Sequence, residues 1–128
     1  SYEIDRILCH IDAVPDNFLI TDDYVYLIDW EYAGMQDPHL DIAMFIVYSD
    51  YSKEEADKII DIYFNNRCPD NIRTKIYAYI SISGLLWSNW CEFRELTNNP
   101  FARYGDLQYK YAKDYYKIVE GRISKRAN

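Results

Sequence analysis

Three oxygen-bearing side chains near the start of the sequence have the types and spacing that phosphoryl transfer requires. Asp12 follows His10 by two positions and precedes Asn17 by five, in the pattern H-x-D-x-x-x-x-N, and Asp29 comes twelve residues later. Such a reaction needs one carboxylate to meet the acceptor hydroxyl, and a second carboxylate and an amide oxygen to hold Mg²⁺ against the nucleotide phosphates. Because Mg²⁺ takes oxygen ligands and keeps several waters, one Asp and one Asn suffice.

A short hairpin is predicted to position these groups. Residues 18–20 and 25–28 are apolar runs with strand-forming side chains, and the polar segment 21–24 between them is typical of a turn. Because Asp and Asn are common in turns, the spacing alone is weak evidence for a catalytic site. The hairpin between Asn17 and Asp29 makes a chance arrangement much less probable. We expect the loop to be braced by hydrogen bonds from His10, and Asp16 to be a solvated turn residue.

After residue 36 the pattern becomes helical. Asp37 and Pro38 are typical of an N-cap followed by proline in the first turn. Ser52 and Glu55 form a capping box. The helices are predicted to start after Asp37 and Ser52, and then to span about Asn71 to Glu95 and about Phe101 or Asp106 to Arg122, with a break at Thr97–Pro100. The predicted fold class is α+β, mainly α: a hairpin followed by about four helices.

Composition argues against several classes of function. A chain of 128 residues suits one domain. Its net charge of −7 argues against nucleic acid and anionic membrane surfaces, and favours cationic ligands. The most apolar window, residues 76–90, is too short and too polar to span a bilayer. Three widely spaced cysteines and no visible signal peptide indicate reduced thiols and a cytoplasmic location.

Residues 9–50 resemble the choline kinase and aminoglycoside phosphotransferase family, the branch of the protein-kinase-like fold that phosphorylates small molecules. The resemblance rests on the H-x-D-x-x-x-x-N pattern and on Ile-Asp-Trp-Glu-Tyr-Ala-Gly-Met at residues 28–35. The H-x-D-x-x-x-x-N pattern is shared by the whole superfamily. The Asp-Trp-Glu-Tyr run is restricted to fewer proteins and resembles the corresponding segment of bacterial choline kinases. The resemblance implies an ATP- and Mg²⁺-dependent transfer of the γ-phosphate to the choline hydroxyl, giving phosphocholine.

The resemblance also implies roles for individual residues. Asp12 takes the position of the catalytic Asp, and Asn17 and Asp29 take those of the metal ligands. Glu31 would assist a second metal or orient the site. Asp41 matches a buried family Asp that holds the catalytic loop by hydrogen bonds, while its plainer interpretation is a favourable charge at a helix N-terminus.

Two tryptophans bear on the substrate. Trp87 and Trp90 share one face of the predicted long helix, and in an arbitrary helix this spacing is typical of a core stripe. Choline kinases bind choline with such a Trp-x-x-Trp helix and a tyrosine on the next helix, so the resemblance implies an aromatic cage of Trp87, Trp90, Tyr109 and Tyr32. A quaternary ammonium donates no hydrogen bond, and each desolvated cation–π contact contributes about 2 kcal/mol.

A Gly-rich phosphate loop and a strand lysine are missing from the sequence. Residues 1–128 are therefore interpreted as the catalytic and substrate-binding C-terminal lobe of a kinase whose nucleotide-clamping lobe is absent, and we expect them to be inactive alone. Apolar surface left by that lobe would favour a dimer or a swapped oligomer. Two alternatives stay open: a kinase for ethanolamine, another amino alcohol or an aminoglycoside, and a non-catalytic kinase-like binding module.

Overall fold

The computed structural model describes residues 5–95 and 102–126, with the side chains of residues 95, 102, 103 and 126 left out. The chain divides into two compact units, Ser1–Cys68 and Pro69–Asn128. The first unit carries four short strands and two helices, and the second carries two long helices. The predicted class, α+β and mainly α with four α-helices, is confirmed.

Two antiparallel strand pairs organise the first unit. The strands are β1 (Ile7–Cys9), β2 (Phe18–Ile20), β3 (Val25–Leu27) and β4 (Gly34–Gln36). β2 and β3 form the predicted hairpin, with Phe18 opposite Leu27. β1 pairs with β4, with Cys9 opposite Gly34. The sequence analysis did not predict this second pair, because three-residue strands 25 residues apart leave no periodicity or turn signal between them.

The first two helices begin where the caps predict. Helix α1 (Pro38–Tyr48) starts after Asp37, whose side chain accepts a hydrogen bond from the His39 amide at 3.0 Å. Helix α2 (Lys53–Tyr63) starts after Ser52, and both hydrogen bonds of the predicted capping box with Glu55 are present. The core of the unit consists mainly of apolar side chains from the two helices, namely Ile42, Ala43, Met44, Ile46, Val47, Ala56 and Ile60.

The capping box makes the stability of α2 pH-dependent. The backbone and side-chain hydrogen bonds at Ser52 lower the pKa of Glu55 below its ordinary value of 4.5. A lowered folded-state pKa stabilises the fold above the unfolded-state pKa, and this stabilisation is lost as pH falls through the folded-state pKa. In acid titrations followed by circular dichroism, Glu55→Gln should therefore flatten the pH dependence below 4.5. Glu54→Gln, in the same exposed turn, should leave it unchanged, and equal effects of the two substitutions would contradict this.

The second unit is a helical hairpin. Helix α3 (Asp70–Glu95) agrees with the predicted long helix, and α4 (Ala102–Arg126) ends four residues beyond the predicted end. Arg122 ties the far end of the hairpin to α3, since its guanidinium contacts Asp70 and donates to the Thr74 hydroxyl at 2.8 Å. The predicted break at residues 97–100 and the alternative helix start at Phe101 lie outside the described residues.

A glycine allows the two helices of this hairpin to approach closely. A Cβ added to Gly84 would lie 2.6 Å from the Gln108 carbonyl oxygen, so only glycine fits here. Beside this contact, the Ser81 hydroxyl donates to the Ala112 carbonyl at 2.7 Å. Within residues 5–95 and 102–126, no helix has the length and apolar character needed to cross a membrane.

Candidate active site

The loop between β1 and β2 holds Asp12 and Asn17 against each other. The Asn17 side-chain amide nitrogen donates to the Asp12 carbonyl oxygen at 2.8 Å and to Asp12 Oδ2 at 3.3 Å. Asn17 is 8% exposed, so its rotamer is fixed by packing as well as by these bonds. Since the nitrogen is engaged, the side-chain oxygen of Asn17 is the atom that can ligate a cation.

The hairpin brings the segment that carries Asp29 back to Asn17, because β3 ends at Leu27, two residues before Asp29. The Ile28 amide donates to the Asn17 carbonyl at 2.9 Å, so the backbone directly before Asp29 is tied to Asn17. On the other side of Ile28, its carbonyl oxygen lies 2.8 Å from His10 Nε2. A carbonyl oxygen only accepts, so this contact requires the His10 proton on Nε2. Hydrogen bonds thus join Asp12 to Asn17, and Asn17 to Ile28, the residue directly before Asp29.

Two residues of this site have left-handed backbone conformations. Ile11 has a φ of 72° and Asp29 has a φ of 63°. A β-branched residue such as Ile11 is rare there, and residues in sparsely populated regions cost on the order of 1–3 kcal/mol each. Such strain persists only where neighbouring contacts over-determine the backbone, and it concentrates at functional sites.

Asp41 supplies the contacts that hold the strained loop. Its Oδ2 accepts from the His10 amide at 2.9 Å and its Oδ1 accepts from the Ile11 amide at 2.8 Å. Both carboxylate oxygens of a first-turn residue of α1 are therefore directed at the loop backbone. A role only as a favourable charge at the N-terminus of α1 would not require these two directed hydrogen bonds.

Trp30 completes the support of His10, and the sequence analysis did not single it out. Its ring lies edge-on to the His10 ring, with centroids 4.8 Å apart and an interplanar angle of 74°. Its indole nitrogen donates to the Leu27 carbonyl at 2.8 Å. The signal in the sequence was an aromatic residue directly after Asp29, but a role against His10 requires the hairpin geometry.

The region beneath the loop disfavours additional negative charge. Burial raises the pKa of the Cys9 thiol above its ordinary value, and the nearby carboxylates of Asp41 and Asp37 raise it further. Cys9 is 1% exposed and directs its sulfur at the Gln36 and Asp37 carbonyls. The thiol is therefore protonated at neutral pH and is not a nucleophile.

The donor set at this site suits a hard cation such as Mg²⁺. Asn17 and Asp29 offer an amide oxygen and a carboxylate, and sparse oxygen ligation completed by water and substrate phosphates is what Mg²⁺ adopts. Throughout the described ranges, no three His, Cys, Asp or Glu side chains cluster as a metal site. Glu31 is exposed in the turn closed by the Ala33 amide and Trp30 carbonyl, and no hydrogen bond described here joins it to Asp12 or Asn17.

The two tryptophans of α3 form a packed pair. The Trp87 and Trp90 rings are T-shaped, with centroids 5.2 Å apart. Trp90 is 39% exposed, and the Arg94 guanidinium carbon lies 5.3 Å from its ring centroid. The Trp90 ring therefore already lies beside one cationic group. Tyr32, the aromatic residue predicted beside the metal ligands, is exposed in the first unit.

Tyr109 lies on a different side of the helical hairpin from this pair. It lines a groove with Ile82 and Leu85, and the Lys113 ammonium lies 4.5 Å from its ring centroid. Leu85 and Trp87 are two residues apart, so they point about 200° apart around α3. The structure thus brings Trp87 and Trp90 together without Tyr109. Tyr104 and Tyr111 lie about 140° and 200° from Tyr109 around α4, so they point away from that groove. Sequence spacing alone could not distinguish the three tyrosines without the rotation of α4.

Comparisons with known proteins agree with the fold. Residues 3–78 match the model of the phosphotransferase enzyme family. The chain is 35% identical over 120 residues to Protein LicA of Haemophilus influenzae, covering 88% of this chain and 43% of that protein. It is similar to a solved structure of LicA in complex with AMP, with a TM-score of 0.71, 31% identity, and coverage of 91% and 41%. It is also similar to choline kinase LicA from Streptococcus pneumoniae, with a TM-score of 0.68, 32% identity, and coverage of 88% and 40%.

The chain belongs to the phosphotransferase enzyme family and has part of the kinase-like fold found in choline kinases. The particular proteins that it resembles are the LicA choline kinases, and it spans less than half the length of the curated relative described above.

Proposed function

We propose that this chain supplies the catalytic loop and the acceptor-binding helices of an ATP- and Mg²⁺-dependent choline kinase. The observation that carries the proposal is the set of hydrogen bonds that joins Asp12 to Asn17 and Asn17 to Ile28, directly before Asp29, in a chain 35% identical to LicA. The AMP bound to one similar LicA structure supports a nucleotide co-substrate. The free cysteines, Cys9, Cys68 and Cys91, fit the proposed cytoplasmic location.

In this proposal Asp12 is the catalytic base. The choline hydroxyl oxygen forms a bond to the γ-phosphorus, the bond from that phosphorus to the ADP oxygen breaks, and the hydroxyl proton passes to the Asp12 carboxylate. The contact from Asn17 fixes the carboxylate so that one oxygen remains directed away from the amide. Asn17 and Asp29 would hold Mg²⁺, with Glu31 as a further acidic group, and the bound ion would neutralise the phosphate charge.

We assign the trimethylammonium group of choline to the exposed ring of Trp90, with Trp87 holding that ring in place. Tyr32 is proposed as a further aromatic contact. Tyr109 keeps its predicted role only if the acceptor reaches the groove on the other side of α3. Substitution of Tyr109 therefore tests whether choline binds in that groove or against Trp90.

Acceptor specificity tests this assignment. In the full-length gene product, Trp90→Leu should lower kcat/KM for choline by about 30-fold, the loss of one desolvated cation–π contact of about 2 kcal/mol. It should lower kcat/KM for ethanolamine much less, since a primary ammonium is also recognised through the hydrogen bonds that it donates. Phe93→Leu, which removes an aromatic ring that is 64% exposed on the same helix, is the control.

Three outcomes of this assay are informative. Equal losses for both acceptors would remove Trp90 from the choline site. A protein that phosphorylates ethanolamine or an aminoglycoside in preference to choline would move the function to that acceptor. A protein that phosphorylates none of them would contradict the proposed function. The same assay on residues 1–128 tests the expectation that they are inactive alone.

A further inference from the structure

The outer face of α4 carries a pattern that the proposed reaction does not use. Apolar residues recur there at alternating intervals of three and four, the a and d positions of a heptad repeat. These residues are Tyr109, Ala112, Tyr116, Val119 and Ile123. Tyr109, Tyr116 and Ile123, the a positions of the stripe, are 49%, 60% and 57% exposed, so these three side chains are accessible among the described residues.

The stripe borders a groove of about 460 Å³ between α3 and α4. Ala112 forms part of its lining and is itself buried, and Ile82 and Leu85 form the α3 side. The lining is mainly apolar, and its polar members are Ser81, whose hydroxyl is bound to the Ala112 carbonyl, and the charged Lys113, Lys117 and Glu120. A large apolar side chain from outside would therefore fit over Ala112.

Two charged side chains of this face, Lys113 and Glu120, are complementary in one orientation. Lys113 and Glu120 both occupy e positions, and e positions face each other when two heptad helices pack antiparallel. In the register that sets Tyr116 opposite Val119 of a second copy, Ile123 of that copy lies over Ala112 and the groove. The same register sets Lys113 opposite Glu120, and the two-fold symmetry repeats each contact.

A parallel arrangement lacks this match. The e positions would then face g positions, which are Tyr115 and Arg122 on this helix. Tyr115 is buried, and Arg122 is bound to Asp70 and Thr74 of its own α3. The charge pattern and the small residue at 112 opposite the large one at 123 both favour the antiparallel orientation.

We propose that the α4 stripe is an interaction surface for a second copy of this chain, packed antiparallel across a two-fold axis near Tyr116 and Lys117. The stripe from Tyr109 to Ile123 is about 21 Å long. A surface of this size places the association among weak, concentration-dependent interfaces rather than obligate ones. The inference does not depend on the proposed reaction.

Charge reversal tests the register as well as the dimer. Sedimentation equilibrium of the full-length gene product, from micromolar to submillimolar concentration, should show a monomer–dimer equilibrium. Lys113→Glu and Glu120→Lys should each weaken dimerisation by about tenfold, because each places like charges opposite one another twice per dimer. The double substitution Lys113→Glu/Glu120→Lys should restore the dimer.

Controls keep the experiment decisive. Lys110→Glu and Asp114→Lys change charge on other sides of α4 and should leave dimerisation unchanged, and circular dichroism verifies that every variant is folded. A protein that stays monomeric at all concentrations would overturn the proposal. This is also the result expected if another part of a longer protein covers the stripe. A dimer that ignores both single reversals, or that the double substitution fails to restore, would overturn it as well.

Discussion

Replacement of Asp12 with Asn should lower kcat for choline phosphorylation by about 10²- to 10⁴-fold, the contribution of a positioned general base. The substitution keeps the size of the side chain and an oxygen that can accept the Asn17 contact, which is 3.3 Å long in the structure. The loop should therefore fold unchanged, and only the proton acceptor is lost. Steady-state kinetics with saturating ATP and choline measure the effect.

The matched control for this substitution is Asp16→Asn. Asp16 lies in the same loop, in the 3₁₀ turn Pro15–Asn17, and is exposed. Its removal should change kcat by less than about twofold, as surface substitutions away from special features have little effect. If Asp12→Asn retained activity comparable to that of Asp16→Asn, Asp12 would lose its assigned role.

Replacement of Asp41 with Ala should loosen the catalytic loop. Two amides, those of His10 and Ile11, would lose a charged acceptor at 2.9 and 2.8 Å. Hydrogen bonds to charged groups contribute about 1.5–3 kcal/mol each, so the loss of two should lower the free energy of unfolding by about 3–6 kcal/mol. The left-handed conformation of Ile11 would no longer be held against its own strain.

Amide hydrogen exchange measures the loosening of the loop at the two amides that lose their acceptor. Exchange at His10 and Ile11 should accelerate by about 100-fold or more in Asp41→Ala, and kcat should fall because Asp12 follows Ile11 directly. Asp57→Ala removes a carboxylate that pairs with Lys53 on α2, and such pairs contribute about 0.5 kcal/mol or less. Comparable effects of the two substitutions would show that Asp41 acts only as a helix charge.

Local signals explain what the sequence predicted well. The caps at Asp37 and Ser52, the hairpin between residues 18 and 27, and the start of α3 all depend on neighbours within a few positions. Each is decided by turn chemistry and side-chain capping, which a single sequence displays directly. The spacing of Asp12, Asn17 and Asp29 was also readable because the hairpin that joins them is local.

Long-range geometry explains what the sequence did not predict. The pairing of β1 with β4 and the packing of Trp30 on His10 join segments whose contact has no periodic signature. Tyr109 illustrates a second limit. Its place on α4 was known from the pattern, but which side it faces depends on how α4 is rotated against α3, and the close approach at Gly84 sets that rotation. The cage role of Tyr109 stays a prediction.

The most direct test of the proposed site is ³¹P NMR of the full-length gene product with ATP, Mg²⁺ and choline. A phosphocholine resonance should appear together with ADP in equal amounts, vanish when Mg²⁺ is chelated, and vanish in Asp12→Asn. Choline left unphosphorylated by a folded protein that binds nucleotide, together with no product from ethanolamine or an aminoglycoside, would contradict the assignment of Asp12, Asn17 and Asp29 as a phosphoryl-transfer site.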